Sequence, residues 1–264
     1  MNTQPRNRQP SGTPTGGEFA TGARTEPDVA LTTATQVVPG DPARTADLVV
    51  STQGELDEAL EQHGSDPERT IVINSPRGVW LDVRETGNTT ARVTGDATVQ
   101  ATGDASIQAF DSASVLATGS ASVWAYGDAT VHASGHASVR ASGSATVHAT
   151  VRASVRASGS ASVRAYGNAS VQANDHASVR AYGNATVQAT DHASVEATGS
   201  ANVRAVDHAT VEAHDHTTVQ STDHATVRAY ENAAVTAYDH ATVTATSSVT
   251  VHLHSTQVNL QVRP

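Results

Sequence analysis

One apolar residue recurs every eight positions through most of the chain. Val or Ile stands at 99, 107, 115, 123 and 131, and at each eighth position after that as far as 251. Ala lies two residues before it and two after it almost throughout, and polar residues fill the gaps. Strict alternation over so short a span is the signature of a strand with one buried face, and the eight-residue period leaves no room for a helix. In each octad, positions three, five and seven (Ala, Val, Ala) point inward. Positions four, six and eight point out. Positions one and two are Gly or Asp followed by Asn, Asp, Ser or His. Those residues tolerate the left-handed backbone of a tight corner.

The corners give the size of the coil. Asp-His recurs at 175, 191, 207, 223 and 239, each sixteen apart, while the corners at 167, 183, 199 and 231 are Gly-Asn, Gly-Asn, Gly-Ser and Glu-Asn. Position six agrees, with His132/His148, Arg140/Arg156, Arg164/Arg180, Gln172/Gln188 and Glu196/Glu212 matched at the same spacing. A 24-residue triangular coil would set the Asp-His corner at 175 over the Gly-Ser corner at 199. Tandem duplication also leaves sixteen-residue pairs, but a coil of two octads explains corners and faces together. The expected fold is all-β, a two-sided parallel β-solenoid. Residues 79–254 supply 22 octads, or eleven coils. Counting back from the regular region places Val83 and Ala91 in the same register. After Leu253 the alternation slips by one residue to Val258, Leu260 and Val262, which predicts a C-terminal cap strand over 255–264 with its face reversed.

Residues 46–78 have a different character. Leu48-Val49-Val50 and Thr70-Ile71-Val72-Ile73 read as strands. Between them Thr52 and Glu55 form a capping box, followed by Leu56, Ala59 and Leu60 at helical spacing. This strand-helix-strand resembles the N-terminal cap of right-handed parallel β-helices such as the pectate-lyase-like group. A solenoid needs such a cap, because its open end exposes core and unpaired backbone. Octads of the form A-T-V-R-A-Y-G-N resemble octapeptide-repeat proteins of bacterial and prophage genomes. That resemblance implies the solenoid and no particular activity. Residues 1–45 are rich in Gly, Pro, Thr and Ser without apolar periodicity, the composition of a disordered tail. Within them, residues 9–20 (QPSGTPTGGEFA) look like a short phrase found in otherwise unrelated actinobacterial and phage proteins, which implies an address or docking tag.

Composition narrows the function. With no Cys there is neither a disulfide framework nor a thiolate metal site. A net charge of -10 argues against nucleic acid as a partner. No apolar run is long enough to span a membrane, and the N-terminus lacks the apolar stretch of a secretory signal. A cytoplasmic product is the default, with export by a non-classical route or within a particle left open. No cofactor motif is present.

Several outward columns remain as candidate sites. Phe110 and Tyr126 lie sixteen apart at position eight, with Trp124 on the same face and Leu116 on the opposite sheet. Exposed aromatics suit sugar rings or a partner's apolar patch, so a polysaccharide or a protein is the expected partner. The alternative is that the rings only pack along the sheet, as Tyr166 and Tyr182 also would. His176, His192, His208, His224 and His240 form a corner row with Asp175, Asp191, Asp207, Asp223 and Asp239. Imidazole and carboxylate are metal donors, yet a row is no tetrahedral cage, and Asp capping the turn with His as a solvated spacer accounts for it more simply. The Ser/Thr column at position four suggests ice binding, but Arg, Glu, Gln, His or Trp at position six interrupts a flat hydroxyl lattice. Glu196 and Glu212, between Arg180 and Arg228, are the residues a carbohydrate-active β-helix enzyme, a polysaccharide lyase or hydrolase, would use. The expected function is a non-enzymatic rigid scaffold or a surface-binding module, adhesin-like or particle-associated.

Overall fold

The computed structural model describes residues 47–66, 70–87 and 89–264. The expected disordered tail and the phrase at 9–20 lie outside them. Among the described residues, twenty-five strands form two parallel sheets of thirteen and twelve strands. Here they are called sheet A and sheet B. From the second strand onward successive strands alternate between the sheets, and through the regular region each strand pairs with the one sixteen residues away. Val139 lies beside Val123 and Val155, and Val163 beside Val147 and Val179. The unit is therefore a two-sided solenoid of about twelve turns, stepping by about 4.8 Å per coil. That is one turn more than the octads alone supply, because the cap strands also join a sheet.

The core is a continuous file of Ala and Val, with every Val at position five from Val99 to Val243 at most 3% exposed. The ends carry larger residues. At the N-terminal end β1 (Leu48–Val50) and β2 (Thr70–Ile73) extend sheet A. The helix α1 (Gln53–His63) lies between them in sequence and buries Leu56 and Ala59. Its predicted capping box is present, with Glu55 Oε2 accepting from the N–H groups of Ser51 and Thr52. Those hydrogen bonds, Ser51 first, hold the Glu55 carboxyl below its usual range. The first strand of sheet B, β3 (Trp80–Val83), has no neighbouring strand on its outer side. Gln53 covers part of that edge: its side-chain amide accepts from the Asp82 N–H at 2.8 Å and donates to the Asp82 carbonyl at 3.1 Å. One side chain thus stands in for a strand partner.

Two details of register differ from the sequence reading. Val83 pairs with Ala101, and Leu81 takes the position-five place beside Val99. Ala91 does pair with Ile107 in the expected register. The segment after β3 therefore carries two extra residues before β4 (Thr90–Val93), and eight-residue counting fails there. At the other end the last strand, Asn259–Arg263, sets Leu260 beside Val243 and Val262 beside Ala245. The slip does not reverse the face. The corner absorbs the inserted residue, so Val258 and Leu260 still pack against the core, while Val262 at the open end stays exposed.

Most corners are reverse turns closed by a hydrogen bond from the position-three N–H to the position-eight carbonyl of the preceding octad, as from Ala193 to Thr190 at 3.1 Å. The position-one residue has positive φ, between 52° and 75° from Gly95 to Asp239. Backbone bonds to the coil below continue through the turn, as from His192 N–H to Asp175 C=O at 2.9 Å. The position-one N–H is served differently. Where the next coil has an acid at position one, its carboxylate can accept it: Asp175 from Gly159 at 3.0 Å, Asp215 from Gly199 and Glu231 from Asp215 at 2.8 Å each. This is the physical reason for an acid where Gly alone would satisfy the backbone, since a charge-assisted bond offsets the left-handed cost.

Val151 has neither advantage. It is β-branched, exposed, and held at φ 62°. Val151→Gly is expected to stabilise the protein by about 1 kcal/mol, after subtracting the greater entropy of Gly in the unfolded chain. Denaturant unfolding checks this, and an unchanged or lower midpoint would remove the claim of strain. Ser221 occupies an inward Ala place and its hydroxyl is buried without a partner. Ser221→Ala is expected to raise stability by about 1 kcal/mol in the same measurement.

Candidate functional site

The octad period puts position six of alternate strands in one outward column. On sheet A that column runs Arg92, Gln108, Trp124, Arg140, Arg156, Gln172, Gln188, Arg204 and Gln220. It holds no carboxylate. Beside it runs position eight, where Phe110 and Tyr126 give way to the smaller Ser142, Ser158 and Asn174. The change in size leaves a groove of about 320 Å3 between Trp124, Tyr126, Arg140, Arg156 and those three residues. Its floor is Ala141 and Ala157.

The predicted aromatic residues are thus brought together, but not as three open platforms. Phe110 and Tyr126 stack on each other with centroids 5.0 Å apart and planes 14° apart. The Arg92 guanidinium lies 5.4 Å from the Phe110 centroid. Rings stacked along the solenoid axis offer their edges to solvent. This is the general rule here: each ring-on-ring contact among the described residues joins positions sixteen apart, including Tyr166–Tyr182 and His132–His148. Trp124 is not part of such a pair. Its coil neighbours are Gln108 and Arg140, and the Arg140 guanidinium sits 5.9 Å from its ring centroid. A planar cation over an indole is an adaptable contact that a ligand can share or displace. Leu116 lies on sheet B between Gln100 and His132, away from the groove.

Arg140 and Arg156 were not singled out for this site by sequence, because the charged columns read as a solvated surface. Both are exposed and neither pairs with a carboxylate. The Arg–carboxylate pairs among the described residues are Arg84–Asp82 and Arg180–Glu196. Arg156 Nε donates to the Gln172 side-chain carbonyl at 3.0 Å, which leaves its terminal nitrogens toward solvent. A signal was present: residues 129–174 contain four Arg and no Asp or Glu, in a chain of net charge -10. Trp80, the other Trp, was also passed over. It is 59% exposed on β3, at the opposite sheet and nearer the cap.

The His row forms as a ladder. His176, His192, His208, His224 and His240 follow one another at centroid distances of 5.2 to 5.4 Å. Three of the four contacts are stacked and the His208–His224 pair is tilted by 32°, and no group of three or more His, Asp or Glu side chains placed to hold an ion occurs among the described residues. Asp175, Asp191 and Asp207 are turned onto the backbone N–H groups of the coil below. Glu196 is engaged by Arg180 at 2.9 Å, and Glu212 faces His214 at 3.5 Å, in an open depression on sheet B.

Compared with known proteins, the chain matches no family model, no curated protein and no solved structure. No helix among the described residues is long and apolar enough to cross a membrane.

One titration is set by the ladder geometry. His148 stacks on His132 and has the Arg164 guanidinium 3.5 Å from Nε2. Burial first, then the charges of His132 and Arg164, hold its pKa below the usual 6.5. The unfolded chain therefore binds more protons than the folded one as pH drops below that value. This contribution to stability is complete above pH 6.5 and is lost as pH falls through the lower folded-state value. His148→Gln is expected to flatten the loss of stability between about pH 7 and pH 5. A slope identical to that of the parent protein would contradict the assignment.

Proposed function

We propose that this chain is a non-enzymatic binding rod whose ligand surface is the groove at Trp124, Tyr126, Arg140 and Arg156. The observation that carries this reading is the pairing of an unstacked indole with two Arg side chains free of carboxylate partners, on a face rich in Ser, Thr, Gln and Asn. An indole and hydroxyl-rich neighbours suit the faces and edges of sugar rings. The parallel ladders beneath the groove give a rigid base, and a rigid base reduces the ordering cost of binding. The same geometry supports the scaffold element of the reading, in which successive coils hold outward columns at a fixed spacing. The octad resemblance to repeat proteins of bacterial and prophage genomes fits display on a cell or particle surface.

The rival is a carbohydrate-active enzyme using Glu196 and Glu212. What weighs against it is the engagement of Glu196 by Arg180 in an open depression, where water is not excluded. The groove is favoured because it combines aromatic and cationic groups in one place. Full-length protein passed over insoluble polysaccharides and bacterial cell walls is expected to be retained on at least one of them, and Trp124→Ala is expected to lose that retention while keeping its circular dichroism spectrum. Equal retention of both proteins, or retention of neither, would remove the groove as the binding site.

A further inference from the structure

We infer that the ligand of this groove is a linear glycan bearing carboxylate groups, laid along sheet A parallel to the solenoid axis. The inference rests on the reading of the groove as a binding site and adds the ligand's charge and direction.

The charge comes from the central coils. The chain is acidic overall, yet residues 129–174 form an acid-free belt with Arg140, Arg152, Arg156 and Arg164. The corners flanking the groove on the side of Tyr126 are Gly127-Asp128, Gly143-Ser144 and Gly159-Ser160. The Asp-His ladder begins at Asp175, directly after the groove residue Asn174, and its carboxylate is turned onto the Gly159 N–H at 3.0 Å. Asp128 and Asp175 bound the groove at its two ends, neither is paired with Arg140 or Arg156, and the residues between them include no acid. Screening limits exposed charges to about 8 Å at physiological ionic strength, so the local belt counts for more at this site than the net charge. A guanidinium that is not already paired recognises a carboxylate by two parallel N–H donors.

The direction comes from the ladder. From Trp124 to Gln220 the position-six column passes through seven successive strands of sheet A without an acidic residue. That is a track of six steps, about 29 Å long at about 4.8 Å per step. One step is close to the length of one pyranose unit in an extended glycan. A second depression of about 310 Å3 lies farther along the same face, lined by Thr186, Gln188, Asn202, Arg204, Thr218 and Gln220. Amide and hydroxyl groups there match sugar hydroxyls, and Arg204 supplies a further cation.

A nucleic acid fits less well. It carries a phosphate at every nucleotide and needs clustered positive charge along its whole path. Here the cations are interrupted by Gln172 and Gln188, and base stacking would ask for a series of open rings where there is one unstacked indole. A glycan with charges at wider intervals, and hydroxyls between them, suits the alternation of Arg with Gln, Ser and Thr.

Calorimetric titration of the full chain tests this with a matched pair of probes, a β-1,4-linked glucuronate hexamer and cellohexaose, which differ in their carboxylates. A single-stranded oligonucleotide of equal charge is the third arm. The glucuronate hexamer is expected to bind at least about tenfold more tightly than cellohexaose, and the double variant Arg140→Gln/Arg156→Gln to lose about tenfold or more of that affinity. Higher salt is expected to weaken the glucuronate hexamer and leave cellohexaose unchanged. Equal affinity for the two sugars, with no effect of the Arg changes but loss in Trp124→Ala, would overturn the charge assignment and leave the groove standing. Tighter binding of the oligonucleotide would overturn the ligand class. Binding of none of the three, or binding indifferent to both the Arg and Trp variants, would remove the groove and the glycan together.

Discussion

The structure depends on a two-residue corner that turns the chain back without interrupting its hydrogen bonds to the coil below. Positive φ at position one makes the turn tight enough for two four-residue strands to share one sixteen-residue coil. Without it, strands sixteen apart would not meet, and the columns on which every surface feature rests would not exist. Gly satisfies the conformation at least cost. Asp and Glu satisfy it while reaching across to an otherwise unserved N–H. The acidic edge is therefore in large part a consequence of backbone chemistry, and a negative net charge does not by itself describe how the surface recognises a partner.

That separation of roles clarifies the faces. Once coils stack in register, identical outward residues become neighbours and their rings pack flat upon one another. The His ladder, the Tyr pair and the Phe110–Tyr126 pair all arise in this way. They stabilise the ladder and need no ligand to account for them. The surface stands apart where the pattern changes: Trp124 followed by Arg140 and Arg156, and Tyr126 followed by Ser142 and Ser158. A uniform repeat makes no site. A local departure from it does, because a large side chain ending beside a run of small ones leaves room.

Much of this was legible in the chain. The sixteen-residue spacing of Asp-His gave the coil, the Thr52–Glu55 capping box gave the helix, and the Ala-Val-Ala positions gave the core. What escaped depends on three-dimensional neighbours or on insertions. Val83 fell out of register because two residues were added after β3, where no octad remained to count by. The slip near Val258 looked like a reversed face, since sequence does not tell whether an extra residue sits in the strand or in the corner. Phe110 and Tyr126 were placed on adjacent coils, but stacking along the axis covers the ring faces that made them attractive for sugars. The ladder of the His row follows from the sixteen-residue spacing, whereas the ring angles within it, from 7° to 32°, are set by side-chain packing that spacing alone does not give. The acid-free belt lay open in residues 129–174, yet reading one column at a time hides a feature that crosses several.

The central claim is that residues sixteen apart are neighbours, while those eight apart lie on opposite sheets. The absence of native Cys makes a direct test straightforward. Spin labels are attached at Gln172→Cys with Gln188→Cys in one protein, and at Gln172→Cys with Arg180→Cys in another. The first pair spans one coil step of about 4.8 Å between strands and is expected to show strong dipolar broadening. The second pair is expected to show none. Broadening in the second pair, or its absence in the first, would contradict the two-sided coil and every surface column derived from it.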